Sequence, residues 1–325
     1  MRIMKAFIAF GCLSSKKSPY FRLSNNRIYF ENNIIKRSIT HSNRIVNDNK
    51  YFIVNNNDMC TNVLIIPMYK DNYSYIFYDD KEKAVAVDPS DYKKVNEIAE
   101  HENIKIKHVL CTHKHPDHNN GNKFFYNNKI NVIGIKEHDN KHINNNIEHT
   151  NTFQINDYKI YTFISNFHCK NHISYLVQNE KNKLVKKNIF FTGDFLFICG
   201  IGKNFEAKNI DMYNSLNKLK KIDKKNTYIF CGHEYTLNNI QFALSVDADN
   251  EKLTEFYNQV LQNNKNLPTV PSLLEQEFLY NPFLRCHEKN IKKAVETYAH
   301  KNNYTIDKQS DYLMLLRIMK DNFKQ

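Results

Sequence analysis

Residues 112–118 read THKHPDH, which puts His113, His115, Asp117 and His118 within six positions. Imidazole and carboxylate together bind zinc, iron or manganese. The spacing i, i+2, i+4, i+5 is too tight for one strand face, but a loop just past a buried strand lets all four side chains converge. One histidine alone would be ordinary in this Asn- and Lys-rich chain. His101, His138, His142, His149 and His300 lie in polar stretches and are read as surface residues. Three further candidates stand at strand ends: Asp194 closes NIFFTGD (188–194), His233 closes TYIFCGH (227–233), and His172 opens ISYLVQN (173–179). Asp88, before Pro89, is a candidate for orienting a ligand, with an equal claim to be a simple strand end. Glycine is scarce, and Gly193 and Gly232 each stand directly before a candidate ligand, where a Cβ would be unwelcome.

The elements that must position these residues are legible from apolar pattern. KIKHVLCT (105–112) is a short buried strand that ends where THKHPDH begins. VLIIPM (63–68), SYIFYDD (74–80), KAVAVDPSD (83–91) and INVIGI (130–135) read as further strands, and YKIYTFIS (158–165) alternates with 173–179 as an antiparallel pair. YKKVNEIAEHE (92–102) and DMYNSLNKLKKI (211–222) have helical spacing. Beyond about Thr236 helical periods dominate, at 238–246, 251–262, 291–300 and 311–323.

With these residues in place, THKHPDH resembles the HxHxDH signature of the metallo-β-lactamase superfamily. His172, FTGD (191–194), CGHEYT (231–236), KDNYSYIF (70–77) and TVPSLLEQEFLYNPF (269–283) make the chain similar to the glyoxalase II, or hydroxyacylglutathione hydrolase, family over nearly all of 60–325. The resemblance implies an α/β fold, the metallo-β-lactamase αββα sandwich with a C-terminal helical domain. It divides the chain into a leader at 1–58, a catalytic domain at 59–237 and a helical substrate-binding domain at 238–325. It implies two divalent metal ions, zinc first, with iron or manganese as alternatives. His113, His115 and His172 would hold one ion, Asp117, His118 and His233 the other, and Asp194 would bridge them. In SNFHCKNH (165–172) two histidines compete; His172 is assigned because ISYLV follows it as in the family, which leaves His168 a supporting role.

The implied reaction is hydrolysis of a glutathione thioester, S-D-lactoylglutathione, by a hydroxide shared between the metals, with Asp117 and Asp194 orienting it. Thiolate leaves without a strong acid. Glutathione's carboxylates need cations. Beyond residue 58 the chain has two arginines, Arg285 and Arg317, against 34 lysines. By the resemblance Arg317, Lys320, Lys203 and Tyr235 contact the thiol peptide, and Phe205 stands where the family commonly has Tyr. Arg285 is read as an ion-pair anchor of the helical domain. The competing readings are a mononuclear iron persulfide dioxygenase and a nuclease of the same superfamily.

Charge and composition bound the rest. The net charge of +12 is concentrated at the start, where residues 1–58 hold ten Lys/Arg against three Asp/Glu. The remainder is mildly basic, which argues against a nucleic-acid partner. No apolar run reaches the ~20 residues of a membrane span. Seven scattered cysteines without a CxxC argue against a disulfide scaffold. Arg2 and Lys5 before AFIAFGCL (6–13), followed by a basic, acid-poor tract, resemble the bipartite import leader of a secondary plastid such as the apicoplast, largely disordered. Mitochondrion and cytoplasm are the alternatives, and a monomer is expected.

Overall fold

Side chains alternate along the strands, and in the computed structural model that alternation builds two apolar layers around one sheet. The structure describes residues 23–24, 27–28, 43–46, 51–54, 58–149, 151–181, 186–262 and 267–324. In Asn62–Met68, Asn72–Tyr78 and Ala84–Val87, residues Val63, Ile65, Tyr75, Phe77, Val85 and Val87 face inward. There they meet Tyr175, Val177, Phe191 and Phe230 of a second sheet. Their neighbours Leu64, Ile66, Ile76, Ala84 and Ala86 face outward onto Val95, Ile98 and Ala99 of the helix Tyr92–His101. The period-two pattern therefore supplies one sheet with two buried faces. Between the sheets the core is aromatic: the Phe77 and Phe191 rings stack at 5.3 Å and Tyr75 meets Phe230 edge-on at 5.5 Å.

Among the described residues the first sheet has eight strands and the second six. In the second, Thr152–Ile155, Tyr158–Ser165, His172–Asn179 and Asn188–Gly193 run antiparallel in turn, and Thr227–Cys231 joins parallel to Asn188–Gly193. The helix Asn209–Lys218 makes that parallel crossover. Helices flank both sheets, as an αββα sandwich requires. Among the described residues no helix is long and apolar enough to cross a membrane.

Two boundaries differ from the sequence reading. Tyr51–Val54, inside the stretch assigned to a leader, is a buried strand paired with Val63–Ile65, and Asn43–Val46 pairs with it in turn. Four apolar residues among asparagines are too short a run to stand out by period. Tyr51 also donates to the buried Glu102 carboxylate at the end of the first helix, tying the strand to the layer outside it. The apolar run 6–13 lies outside the described residues. At the other boundary, the helical region returns a short strand, Ser272–Leu273, to the edge of the second sheet beside Tyr228–Ile229. Arg285 does anchor this region, through Asp247 at 3.1 Å.

Candidate metal centre

Parallel strands place their carboxyl ends on one rim. Asp88 follows Ala84–Val87, Thr112 and His113 follow Ile106–Leu110, Asp194 follows Asn188–Gly193, and His233 lies just past Thr227–Cys231. A backbone bridge between Asn72 and His233, with Tyr73 N–H donating to the Gly232 carbonyl at 2.8 Å, brings the two sheets together there.

Two triads of ligand atoms face each other on this rim. In the first, His115 Nδ1 lies 3.0 Å from both His113 Nε2 and His168 Nε2. In the second, His118 Nε2 and His233 Nε2 are 3.3 Å apart, with Asp117 Oδ2 at 3.8 and 3.5 Å from them. Asp194 joins the triads: one carboxylate oxygen is 3.4 Å from His118 Nε2, and the other is 3.4 Å from His168 and 3.3 Å from His233. A tetrahedral zinc with Zn–N bonds of about 2.0–2.1 Å separates its ligand atoms by about 3.3 Å, close to these spacings. Three imidazole nitrogens meeting at one point cannot all satisfy one another with protons. Asp194 Oδ1 is buried without a hydrogen-bond partner. The donor set and the orphaned oxygen fit a pair of cations, so the side chains suit a binuclear metal site.

The third member of the first triad corrects the sequence reading. His172 is wholly buried behind the rim; its Nε2 accepts the Asp194 backbone N–H at 3.0 Å and its Nδ1 lies 3.3 Å from Ser165 Oγ. Both nitrogens are engaged away from the triad, and the residue fixes Asp194 instead. His168, four residues earlier in the loop, carries the inward Nε2, while its Nδ1 donates to the Lys203 carbonyl at 3.0 Å.

Partners behind the imidazoles set which nitrogen faces inward. His118 Nδ1 donates to Asp88 Oδ2 at 2.9 Å. His113 Nδ1 donates to Thr112 Oγ1 at 2.9 Å, and that hydroxyl donates to the same Asp88 oxygen at 2.6 Å. His233 Nδ1 donates to Asp71 Oδ1 at 2.9 Å, and Asn72 Nδ2 donates to Asp117 Oδ2 at 2.8 Å. Asp88 therefore does more than end a strand. Asp71, Asn72 and Thr112 went unmarked in the sequence; the polar pair Asp71-Asn72 at the mouth of a strand was the available signal. The cradle is close-fitting. A Cβ on Gly232 would sit 2.3 Å from Asp194 Oδ1, and Gly193, at φ +50°, has no room beside His172.

The charge environment follows from this packing. Burial, only partly offset by Asp194, brings His168 down to about 4. Burial also opposes the charged form of His118, but Asp194 and Asp88 outweigh it and push its pKa up to about 9. Burial works against ionised Asp194 too, yet His118 and His233 hold it well below the usual carboxylate range.

The expected substrate residues divide into two groups. Tyr235 stacks flat on His233, with centroids 4.7 Å apart, and Phe205 stands edge-on to His168 at 5.4 Å with the Lys203 ammonium over its ring. Tyr235 thus lies against the second triad, and Phe205 with Lys203 against the first. Arg317 and Lys320 face inward from the helix Gln309–Asp321. Arg317 donates to the Ile201 carbonyl at 2.8 Å and to Asp321 at 3.0 Å; Lys320 donates to the Asn238 carbonyl at 3.0 Å. Arg317 is 8% exposed, so its guanidinium is committed to the protein rather than open to solvent.

Residues 234–323 match the family Hydroxyacylglutathione hydrolase C-terminus, and residues 70–176 match the Metallo-beta-lactamase superfamily. A protein named hydroxyacylglutathione hydrolase from Dictyostelium discoideum is 38% identical over 266 residues, covering 78% of this chain and 97% of the relative. One named hydroxyacylglutathione hydrolase cytoplasmic, from Arabidopsis thaliana, is 36% identical over 235 residues, 71% of this chain and 90% of the relative. Among solved structures, the BLEG-1 B3 metallo-beta-lactamase aligns with a TM-score of 0.50 at 18% identity, over 68% of this chain and 99% of that one, a likeness of fold.

Proposed function

The chain belongs to the hydroxyacylglutathione hydrolase family within the metallo-beta-lactamase superfamily, and from that membership we propose its reaction: hydrolysis of the thioester of S-D-lactoylglutathione to D-lactate and glutathione, the second step of methylglyoxal detoxification. The observation that carries the reading is a pair of facing ligand triads spanned by Asp194, on a chain whose residues 234–323 match the hydrolase's own C-terminal family.

His113, His115 and His168 would hold one divalent ion, Asp117, His118 and His233 a second, and Asp194 would bind between them. Zinc suits this imidazole-rich set, with iron or manganese as alternatives. Such ions lower the pKa of water towards ~7 and polarise a carbonyl oxygen. The protein's own part is placement. Asp117 is 42% exposed at the side chain, so it reaches solvent, and Asn72 fixes the same Oδ2 that faces His118 and His233. Phe205 and Tyr235 wall the approach to the rim. Lys203 stands beside Phe205 as an exposed cation for a substrate carboxylate. Arg317 and Lys320 hold backbone nearby, at the Ile201 and Asn238 carbonyls.

The test is steady-state hydrolysis by the full chain loaded with zinc, comparing S-D-lactoylglutathione with an acyl-CoA. Preference for the glutathione thioester is expected. One iron per chain with oxygen uptake on glutathione persulfide would replace this reading by a dioxygenase, and tight, steeply salt-dependent RNA binding by a nuclease. Arg317→Ala should raise KM by about tenfold with a smaller change in kcat, since it acts away from the reacting carbonyl. An unchanged KM removes Arg317 from the pocket.

The N-terminal stretch, taken over 1–58 as a leader, is read as a plastid-like import leader, with the strands Asn43–Val46 and Tyr51–Val54 belonging to the sheet. A fluorescent protein fused to it should reach an organelle; diffuse cytoplasmic signal would overturn this. The enzyme is read as a monomer, which light scattering at 38.6 kDa would match.

A further inference from the structure

The motif VPSLLEQEFLYNPF lies far from the metals in sequence and takes no part in the chemistry described above. Its buried polar residues converge on one turn. Leu196–Phe197 and Gly200–Ile201 form a short hairpin, entered from Asp194 and left through Gly202 and Lys203 towards Phe205. Side chains of the C-terminal region hold its backbone. Glu277 Oε2 accepts the Cys199 N–H at 2.8 Å, Asn281 Nδ2 donates to the Gly200 carbonyl at 3.0 Å, Asn239 Nδ2 donates to the Ile198 carbonyl at 3.0 Å, and Arg317 takes Ile201. Cys199 has φ +56°, a left-handed conformation that a non-glycine residue keeps only when its surroundings enforce it. Glu277 is wholly buried, and its other oxygen accepts from Ser272 Oγ at 2.8 Å and Tyr280 Oη at 3.0 Å.

We propose that Glu277 is a positioning residue for substrate recognition: by clamping the Cys199 turn it sets Lys203 and Phe205 at the metal rim. The inference rests on the reading of Lys203 and Phe205 as thiol-side contacts. A longer route to the metals is short-circuited by other residues. Asp194 is fixed separately, by His172 at its backbone and by the imidazoles at its carboxylate. Lys203 and Phe205 lie beyond the turn, held on one side by His168, whose Nδ1 donates to the Lys203 carbonyl at 3.0 Å and whose carbonyl accepts the Phe205 N–H at 3.3 Å, and on the other by the turn that leads into them. The clamp should therefore act on KM and leave metal content alone.

The amide of glutamine can replace the carboxylate here. Its oxygen accepts from Cys199 N–H, and its NH₂ donates to Ser272 and Tyr280, whose hydroxyls rotate to accept. Alanine leaves the Cys199 N–H unpaired. In the full chain loaded with zinc, Glu277→Ala should raise KM for S-D-lactoylglutathione about tenfold with kcat within about threefold. Calorimetric affinity for an S-alkylglutathione should fall by a similar factor. Amide exchange at 197–203 should quicken while 112–118 stays protected. Glu277→Gln should restore all three. Unchanged KM and affinity in Glu277→Ala, loss of metal with it, or a Glu277→Gln as impaired as the alanine, would each overturn the proposal. If Glu277→Ala does not fold, Asn281→Ala decides: a smaller rise in KM supports the clamp and none overturns it. Failure of the unaltered chain to hydrolyse the thioester would instead overturn the functional reading, and exchange at 197–203 would then still decide whether Glu277 holds the turn.

Discussion

Around the first triad, His113 and His168 give their outer nitrogens to neutral acceptors, Thr112 Oγ1 and the Lys203 carbonyl. Around the second, His118 and His233 give theirs to carboxylates, Asp88 and Asp71, and a third carboxylate, Asp117, is itself in the triad. An imidazole backed by a carboxylate is a more basic ligand than one backed by a hydroxyl or an amide. Burial does not separate them: each triad has two buried members and one half-exposed, His115 in the first and Asp117 in the second. The two seats thus differ in charge. The first is an all-imidazole seat with neutral groups directly behind it, and the second carries its own carboxylate with two more behind it.

The strongest break in this comparison is at the first triad's third corner. His168→Ala should cost one metal per chain by elemental analysis and lower kcat by about 10²–10³-fold, the scale of losing a main electrostatic stabiliser. His172→Ala should keep both metals and lose less activity. The reverse order would return His172 to the ligand set.

Asp88 serves both triads, directly at His118 and through Thr112 at His113, so Asp88→Asn should weaken metal binding at both sites by about 10–100-fold. Asp71→Asn should weaken only the second, by about tenfold, seen as sub-stoichiometric loading in a chelator titration. Thr112→Val should weaken only the first, and less. Equal losses from Asp71→Asn and Thr112→Val would erase the distinction between carboxylate and neutral backing. The smallest effect belongs to what the sites share. Cys111 and Cys231 each stand two residues before a candidate ligand histidine and donate S–H to its carbonyl, at 3.4 and 3.2 Å. Alanine at either should cost no more than about 1 kcal/mol of thermal stability, and equally.

Much of this geometry was written locally. THKHPDH and the Gly-Asp and Gly-His strand ends mark ligands because a short loop after a buried strand has few ways to turn. The choice between His168 and His172 was not local. Both lie beside one strand, and only the tertiary placement of the Asp194 N–H tells which ring points inward. The strand Tyr51–Val54 was hidden for a similar reason: four apolar residues gain meaning from the sheet edge they cover. Glu277 is one of two acids in TVPSLLEQEFLYNPF with nothing local to set it apart, and its role exists only once the Cys199 turn lies against it.

The strand Ser272–Leu273 has a consequence for how the molecule comes apart. It is laid onto Tyr228–Ile229, in the strand that leads to His233, and Glu234 just beyond accepts the Thr269 N–H at 2.8 Å. Removing the C-terminal helices would strip an edge from the catalytic sheet beside a metal ligand. Heating or denaturant should therefore melt residues 51–324 in one cooperative transition, with no folded metal-binding core surviving the loss of its helices.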